Sequence, residues 1–227
     1  MISPILLAEV TLPETHPRAG EACVVLGFVI RHAHGAVLVD TGVGTGHTEI
    51  DSTFTPIHHP IDDALGEVGV QRDDVKMVIN SHLHFDHCGN NRLFPGIPIV
   101  VQRTEYEKAQ QPGYTVPEWI DFPHATWRWV DGETEVMPGV SVIPTPGHTL
   151  GHQSVVVSRA GNVDLIAGQA VYDPNELDAE ESIEPLSREE AEQTRESARL
   201  IKSAQPDRVF FSHDTRVWEN PSAMPER

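Results

Sequence analysis

Short apolar runs rich in Val, Ile and Leu, each closed by turn residues, recur along the chain and restrict the folds open to it. "ILLAEVTL", "CVVLGFVIRH" and "GAVLVD" fill residues 5–40, and "VKMVIN" and "IPIVVQ" follow. From residue 127 come "WRWV", "TEVMPG", "VSVIPT", "QSVVVSRAG", "VDLIAG" and, as an expected last strand, "RVFFSH". Runs of this length and β-branched content predict strands, with "VKMVIN" suited to a buried one. Helices are expected at "IDDALGEVG" and "RTEYEKAQ" and along "PLSREEAEQTRESARLIKSAQP". There Ser187 stands three residues before Glu190 in a capping-box pattern, and Pro206 ends the run. The order is therefore strands and helices, then strands and a helix again. With 227 residues, no repeat and no Pro/Gly linker, residues 1–227 are expected to form a single globular unit.

Thirty-four acidic residues face sixteen basic ones, a net charge of -18. Such a surface repels phosphate backbones and anionic lipid, so neither nucleic acid nor a membrane is an expected partner. No window approaches the roughly 18 apolar residues of a membrane span. The first residues lack a basic leader and a small-residue cleavage site, and Cys23 and Cys88 are too few for a disulfide framework. The expectation is a soluble, cytoplasmic protein with reduced thiols.

The chemistry concentrates in "NSHLHFDHCGN", where His82, His84, Asp86 and His87 fall just after a predicted strand. Nitrogen and carboxylate donors in that pattern suit a divalent transition metal such as zinc. One ion could not comfortably use all four, so the spacing favours His82 and His84 on one ion and Asp86 and His87 on a neighbour. Three further candidates follow apolar runs: His148, the segment around Gln169, and His213. His16, His32, His34, His47, His58, His59 and His124 are read as ordinary structural or surface histidines.

The motifs "HLHFDH", "PTPGHTLGHQS" and "FFSHD" resemble those of the metallo-β-lactamase superfamily, from about Leu38 to His213. Within it, the wording is most similar to N-acyl homoserine lactonases, the quorum-quenching branch. The resemblance implies an α/β fold, the αβ/βα four-layer sandwich of the metallo-β-lactamase type, with metals along one sheet edge. It implies His82, His84 and His148 on a first ion, and Asp86, His87 and His213 on a second. Zinc is the expected metal, with Mn, Fe or Co as alternatives. Asp40 and His152 would support the ligands without being ligands themselves.

The pattern breaks once. Where the family has an aspartate bridging the ions, this chain reads "AGQAVYD", with Gln169 in its place and Tyr172 three residues on, as in the lactonases. A neutral amide carbonyl is a weaker ligand than a carboxylate, so the second ion is expected to bind less tightly. Asp173 is not expected to compensate, because its offset along the chain aims it elsewhere. Three outcomes are open: two ions despite Gln169, one tightly held ion, or a fold that has lost hydrolysis and only binds.

The implied activity is metal-dependent opening of a lactone or ester, acyl homoserine lactones favoured, with no serine or cysteine nucleophile needed. Tyr172 would donate to the developing oxyanion and Asp86 would hand a proton to the leaving alkoxide. A thioesterase or glyoxalase-II-like hydrolase would use the same ligands. Residues 106–129 hold Tyr106, Tyr114, Trp119, Phe122, Trp127 and Trp129 and are read as an excursion over the site. A core satellite or a subunit contact is the competing reading, and a homodimer is compatible with it.

Overall fold

The structure, a computed structural model, describes residues 1–182 and 186–221. Pro185, which opens the long helical run in the sequence, lies outside the described residues. Thirteen strands among the described residues make two mixed sheets. The first sheet is built from β1 (Ile2–Thr11), β2 (Ala22–His32), β3 (Gly35–Val39), β4 (Ile57–His58), β5 (Val75–Ile79), β6 (Pro98–Gln102) and β7 (Thr126–Val130). Its order is β4-β1-β2-β3-β5-β6-β7. The second sheet uses β8 (Thr134–Met137), β9 (Val140–Pro144), β10 (Gln153–Arg159), β11 (Asn162–Gly168), β12 (Arg208–Phe211) and β13 (Asp214–Glu219), in the order β13-β12-β11-β10-β9-β8.

Alternation along each strand creates the layers, because successive side chains point to opposite faces. Phe28 and Ile30 of β2, Val37 and Val39 of β3, and Met77 and Ile79 of β5 meet Val155 and Val157 of β10, Ile166 of β11 and Phe210 of β12 between the sheets. The intervening residues face outward. Val29, Leu38 and Val78 pack beneath α2 (Ile61–Glu67) through Ile61, Ala64 and Leu65. Leu165, Ala167, Val209 and Phe211 pack beneath Ala198 and Ile201 of α7 (Arg188–Ser203). The αβ/βα sandwich thus follows from strands apolar on both faces, each buried large side chain contributing roughly 1.5–3 kcal/mol. At the start of α7, the Ser187 hydroxyl accepts from Glu190 N–H while the Glu190 carboxylate accepts from Ser187 N–H, a complete capping box.

Two expectations need correction. "RVFFSH" is not the last strand: β12 ends at Phe211, His213 sits in a turn, and β13 follows. The sequence "DTRVWE" hides β13 because that edge strand is largely exposed and carries no apolar alternation. Residues 106–129 are also more regular than expected, holding α5 (Pro117–Ile120) and β7. Among the described residues, no helix is long and apolar enough to cross a membrane.

The two sheets are tied together at one end. Gln153 N–H donates to the Ser81 carbonyl at 2.9 Å and Gln153 Nε2 to the Asn80 carbonyl at 2.8 Å. Leu26 N–H donates to the Ser212 carbonyl at 2.9 Å. At this seam β3, β5, β11 and β12 all finish, and the loops leaving them carry the polar residues.

Candidate metal centre

β5 ends at Ile79, so His82 and His84 lie in an irregular stretch beyond the strand, and His84 leads into a one-turn helix, α3 (Phe85–Cys88). This turn packs against the loop after β3. A Cβ on Gly89 would stand 1.9 Å from Gly44 N and 2.7 Å from the Gly42 carbonyl, so only glycine permits the approach. Asp40 begins that loop with φ 58°, a left-handed conformation that aspartate tolerates better than most residues. In that position the buried Asp40 carboxylate accepts from Ser81 N–H at 2.7 Å and from the Ser81 hydroxyl at 2.8 Å. It also contacts His87 Nδ1 at 2.8 Å, as a ligand-orienting carboxylate would.

The sequence candidates gather into two clusters. His82 Nε2 and His84 Nδ1 lie 3.1 Å apart, and His84 Nδ1 is 3.0 Å from His148 Nε2. In the second cluster, Asp86 Oδ2 lies 3.5 Å from His87 Nε2 and 3.6 Å from His213 Nε2. Gln169 Oε1 is 3.1 Å from His87 Nε2 and 3.0 Å from His213 Nε2. Donors at about 2.1 Å from one ion are separated by roughly 3.0–3.4 Å in octahedral or tetrahedral arrangements, so both clusters fit a transition-metal ion. The outward-facing nitrogens are engaged as well: His82 Nδ1 with the Ser81 hydroxyl at 3.1 Å and His213 Nδ1 with the Val24 carbonyl at 2.8 Å. Each such bond turns the opposite nitrogen toward the cluster.

Electrostatics divides the clusters. Burial, reinforced by the neighbouring imidazoles, pushes His82 well below its ordinary value, which leaves it neutral, the form that ligates. Burial also opposes charge on His87, but Asp86 and Asp40 outweigh it and raise the imidazole to about 10. Burial likewise resists ionisation of Asp86, yet His87 and His213 hold its carboxyl well below the usual range.

The supporting residues are equally specific. His152 accepts from Gln169 N–H through Nε2 at 3.0 Å and meets the Thr145 hydroxyl through Nδ1 at 2.9 Å, so both of its nitrogens are engaged. Gln169 Nε2 donates to the Tyr172 hydroxyl at 2.8 Å, and the Tyr172 ring stacks on His213. Asp173 instead caps α6 (Pro174–Ala179) and pairs with Arg216. Glu105, on α4 (Arg103–Ala109), carried no signal in the sequence. Its buried carboxylate accepts from Leu83 N–H, the Tyr114 hydroxyl and the Thr149 hydroxyl at 2.9, 2.5 and 2.8 Å. It therefore braces both loops of the first cluster.

A cavity of about 290 Å3 opens over the site, lined by His84, Asp86, His148, Gln169, Tyr172 and His213 and walled by Val10, Leu12, Phe54 and Phe85. Of the aromatics in residues 106–129, Tyr114 stands against His84, with ring centroids 4.9 Å apart. Trp119 is buried in a neighbouring cluster, and Tyr106 packs with Trp127 and Trp129 at β7. His16, read from sequence as structural, lines the cavity beside Tyr172.

The chain is similar in sequence and fold to proteins of one superfamily. Residues 20–213 match the model of the metallo-beta-lactamase superfamily. An N-acyl homoserine lactonase of Bacillus thuringiensis is 31% identical over 213 residues, covering 88% of this chain and 84% of the relative. N-acyl homoserine lactonase AttM of Rhizobium radiobacter is 28% identical over 224 residues, covering 88% and 85%. The solved structure of an N-acyl homoserine lactone hydrolase, with N-hexanoyl-L-homoserine bound at its catalytic metal centre, superposes with a TM-score of 0.78 at 29% identity. It covers 94% of this chain and 93% of that one.

Proposed function

Because the chain belongs to the metallo-β-lactamase superfamily, we propose that it is a metal-dependent lactonase that opens the ring ester of N-acyl homoserine lactones and so quenches quorum signals. The observation that carries this reading is the pair of donor clusters, the second with Gln169 Oε1 within reach of His87 and His213, beneath a cavity that Tyr172 also lines. His82, His84 and His148 would hold one ion, and Asp86, His87, His213 and the Gln169 carbonyl the other. Bound ions, zinc foremost and Mn, Fe or Co as substitutes, supply Lewis acidity toward the scissile carbonyl and acidify a water near neutral pH.

The side chains do the rest. Tyr172, fixed by Gln169 Nε2, supplies a hydroxyl for the oxygen that gains charge as the carbonyl is attacked. Asp86, kept ionised by His87 and His213, takes the proton of the attacking water and returns it to the leaving alkoxide. Phe54 and Phe85, with ring centroids 4.4 Å apart, shelter the apolar acyl chain from water. The relatives favour neither a thioesterase nor a non-catalytic binding protein.

Hydrolysis of acyl homoserine lactones, simple γ- and δ-lactones, aryl esters and acyl thioesters, with added zinc, manganese or cobalt, tests the reading. Lactones should be opened fastest; metal-loaded protein that leaves every lactone intact, or prefers thioesters, overturns it. The same reading places the enzyme in the cytoplasm, in keeping with two unpaired buried cysteines, and cell fractionation checks that. It also includes a homodimer, for which the exposed Trp129 on edge strand β7 is a candidate contact; light scattering would show it.

A further inference from the structure

We propose that the Ser81 hydroxyl and the Asp40 carboxylate form one hydrogen-bonded strut joining a donor of each cluster, so that both ions depend on a single buried carboxylate. This rests on the metal-centre reading and deepens it. His82 belongs to the first cluster and His87 to the second. Each turns Nε2 toward its own cluster, His82 to within 3.1 Å of His84 Nδ1 and His87 to within 3.1 Å of Gln169 Oε1. A ligating Nε2 carries no proton, so Nδ1 of each ring carries it and donates. The two Nδ1 atoms converge on the same pair of residues. His82 Nδ1 lies 3.1 Å from Ser81 Oγ, Ser81 Oγ lies 2.8 Å from Asp40 Oδ2, and His87 Nδ1 lies 2.8 Å from that same Oδ2.

Donors and acceptors then close in one direction. A carboxylate oxygen only accepts, so the Ser81 hydroxyl donates to Asp40 Oδ2 and keeps a lone pair for His82 Nδ1–H. Ser81 Oγ is also 3.4 Å from His87 Nδ1, but the shorter contacts to Asp40 take both protons. Ser81 N–H donates to Asp40 Oδ1 at 2.7 Å, which fixes the carboxylate against rotation. Asp40, His82 and His87 are fully buried and Ser81 nearly so, so bulk water does not compete and each bond counts for more than at a surface. The neutral Gln169 carbonyl meets the second cluster, at His87 and His213. Asp40, by contrast, reaches a donor of each cluster, His87 directly and His82 through Ser81.

The test titrates cobalt(II), whose d–d absorption reports its ligands, into protein with one cluster disabled: His213→Ala leaves the first cluster and His148→Ala the second. With Ser81 in place, Asp40→Asn should lower cobalt affinity about tenfold or more at both clusters, on the scale of changes made beside a metal. Asparagine tolerates the left-handed backbone of residue 40 but sets an amide N–H where a carboxylate oxygen accepted. In a Ser81→Ala background, Asp40→Asn should still cost the second cluster about tenfold but change the first by less than about twofold, because its route to His82 is gone. Asp40→Asn that spares the first cluster while Ser81 is present, or costs it equally in the Ser81→Ala background, overturns the proposal. Circular dichroism verifies that each variant folds. Wild-type protein that takes up no cobalt defeats the metal-centre reading and this inference with it, whereas one that takes up cobalt and opens no lactone defeats the lactonase reading alone.

Discussion

On the proposed reading, residue 169 would set how firmly the centre holds its ions. Its carbonyl oxygen lies between His87 and His213, and its amide nitrogen is committed to Tyr172. A carboxylate in that place would add a negative charge beside a dication held by the second cluster, and glutamine adds none. Gln169→Asp should therefore tighten the more weakly held ion about tenfold or more, on the scale of changes made beside a metal. Metal analysis after dialysis against a chelator checks this, and wild-type protein that keeps two full equivalents would contradict it. The clustered donors could be read from sequence because four of them share six positions. Glu105 and His16 could not: their places at the site arise from what 22- to 156-residue separations bring together, Leu83 and Thr149 for one and Tyr172 for the other.

At the level of elements, the contact between α3 and the loop after β3 is backbone against backbone. Gly89→Ala would force a methyl into Gly44 N and the Gly42 carbonyl, neither of which can rotate away. The expected cost is about 3 kcal/mol or more, read as a lower denaturant midpoint; a variant within about 0.5 kcal/mol of wild type would show that the loop yields. The core strands were legible because doubly buried strands are continuous apolar runs. The short helices, α1 (Thr48–Phe54), α3, α5 and α6, were not. Helices of one or two turns have too little intrinsic stability to leave a periodic signature and form because their surroundings hold them. The helix at Thr48–Phe54 begins where His47 Nδ1 accepts from Ile50 N–H, a cap that helix-start rules based on Ser, Thr, Asp and Asn do not flag.

Across the whole molecule, folding, protons and metal share one balance. In the metal-free chain His87 titrates near 10 rather than 6.5, so the native state keeps a proton that the unfolded chain releases. The stability it contributes is fully present below pH about 6.5 and is lost as pH rises through about 10. An ion must displace that proton. Metal affinity should accordingly climb with pH across the same window, by up to about tenfold per unit, and competition with a chromophoric chelator at pH 7 and 8 measures it. Affinity unchanged between the two would contradict the assignment of His87 as a ligand.

The division of the chain between its sheets has a further consequence. Every strand of the first sheet precedes Asp131 and every strand of the second follows Gly132. His82, His84, Asp86 and His87 thus come from one half of the polypeptide, and His148, Gln169 and His213 from the other. Each half alone carries an incomplete set of donors, so a chain emerging from the ribosome could not assemble the proposed centre until the second half is made. A bound ion would then act as a rivet, and metal capture would report that synthesis and docking of the two halves are complete.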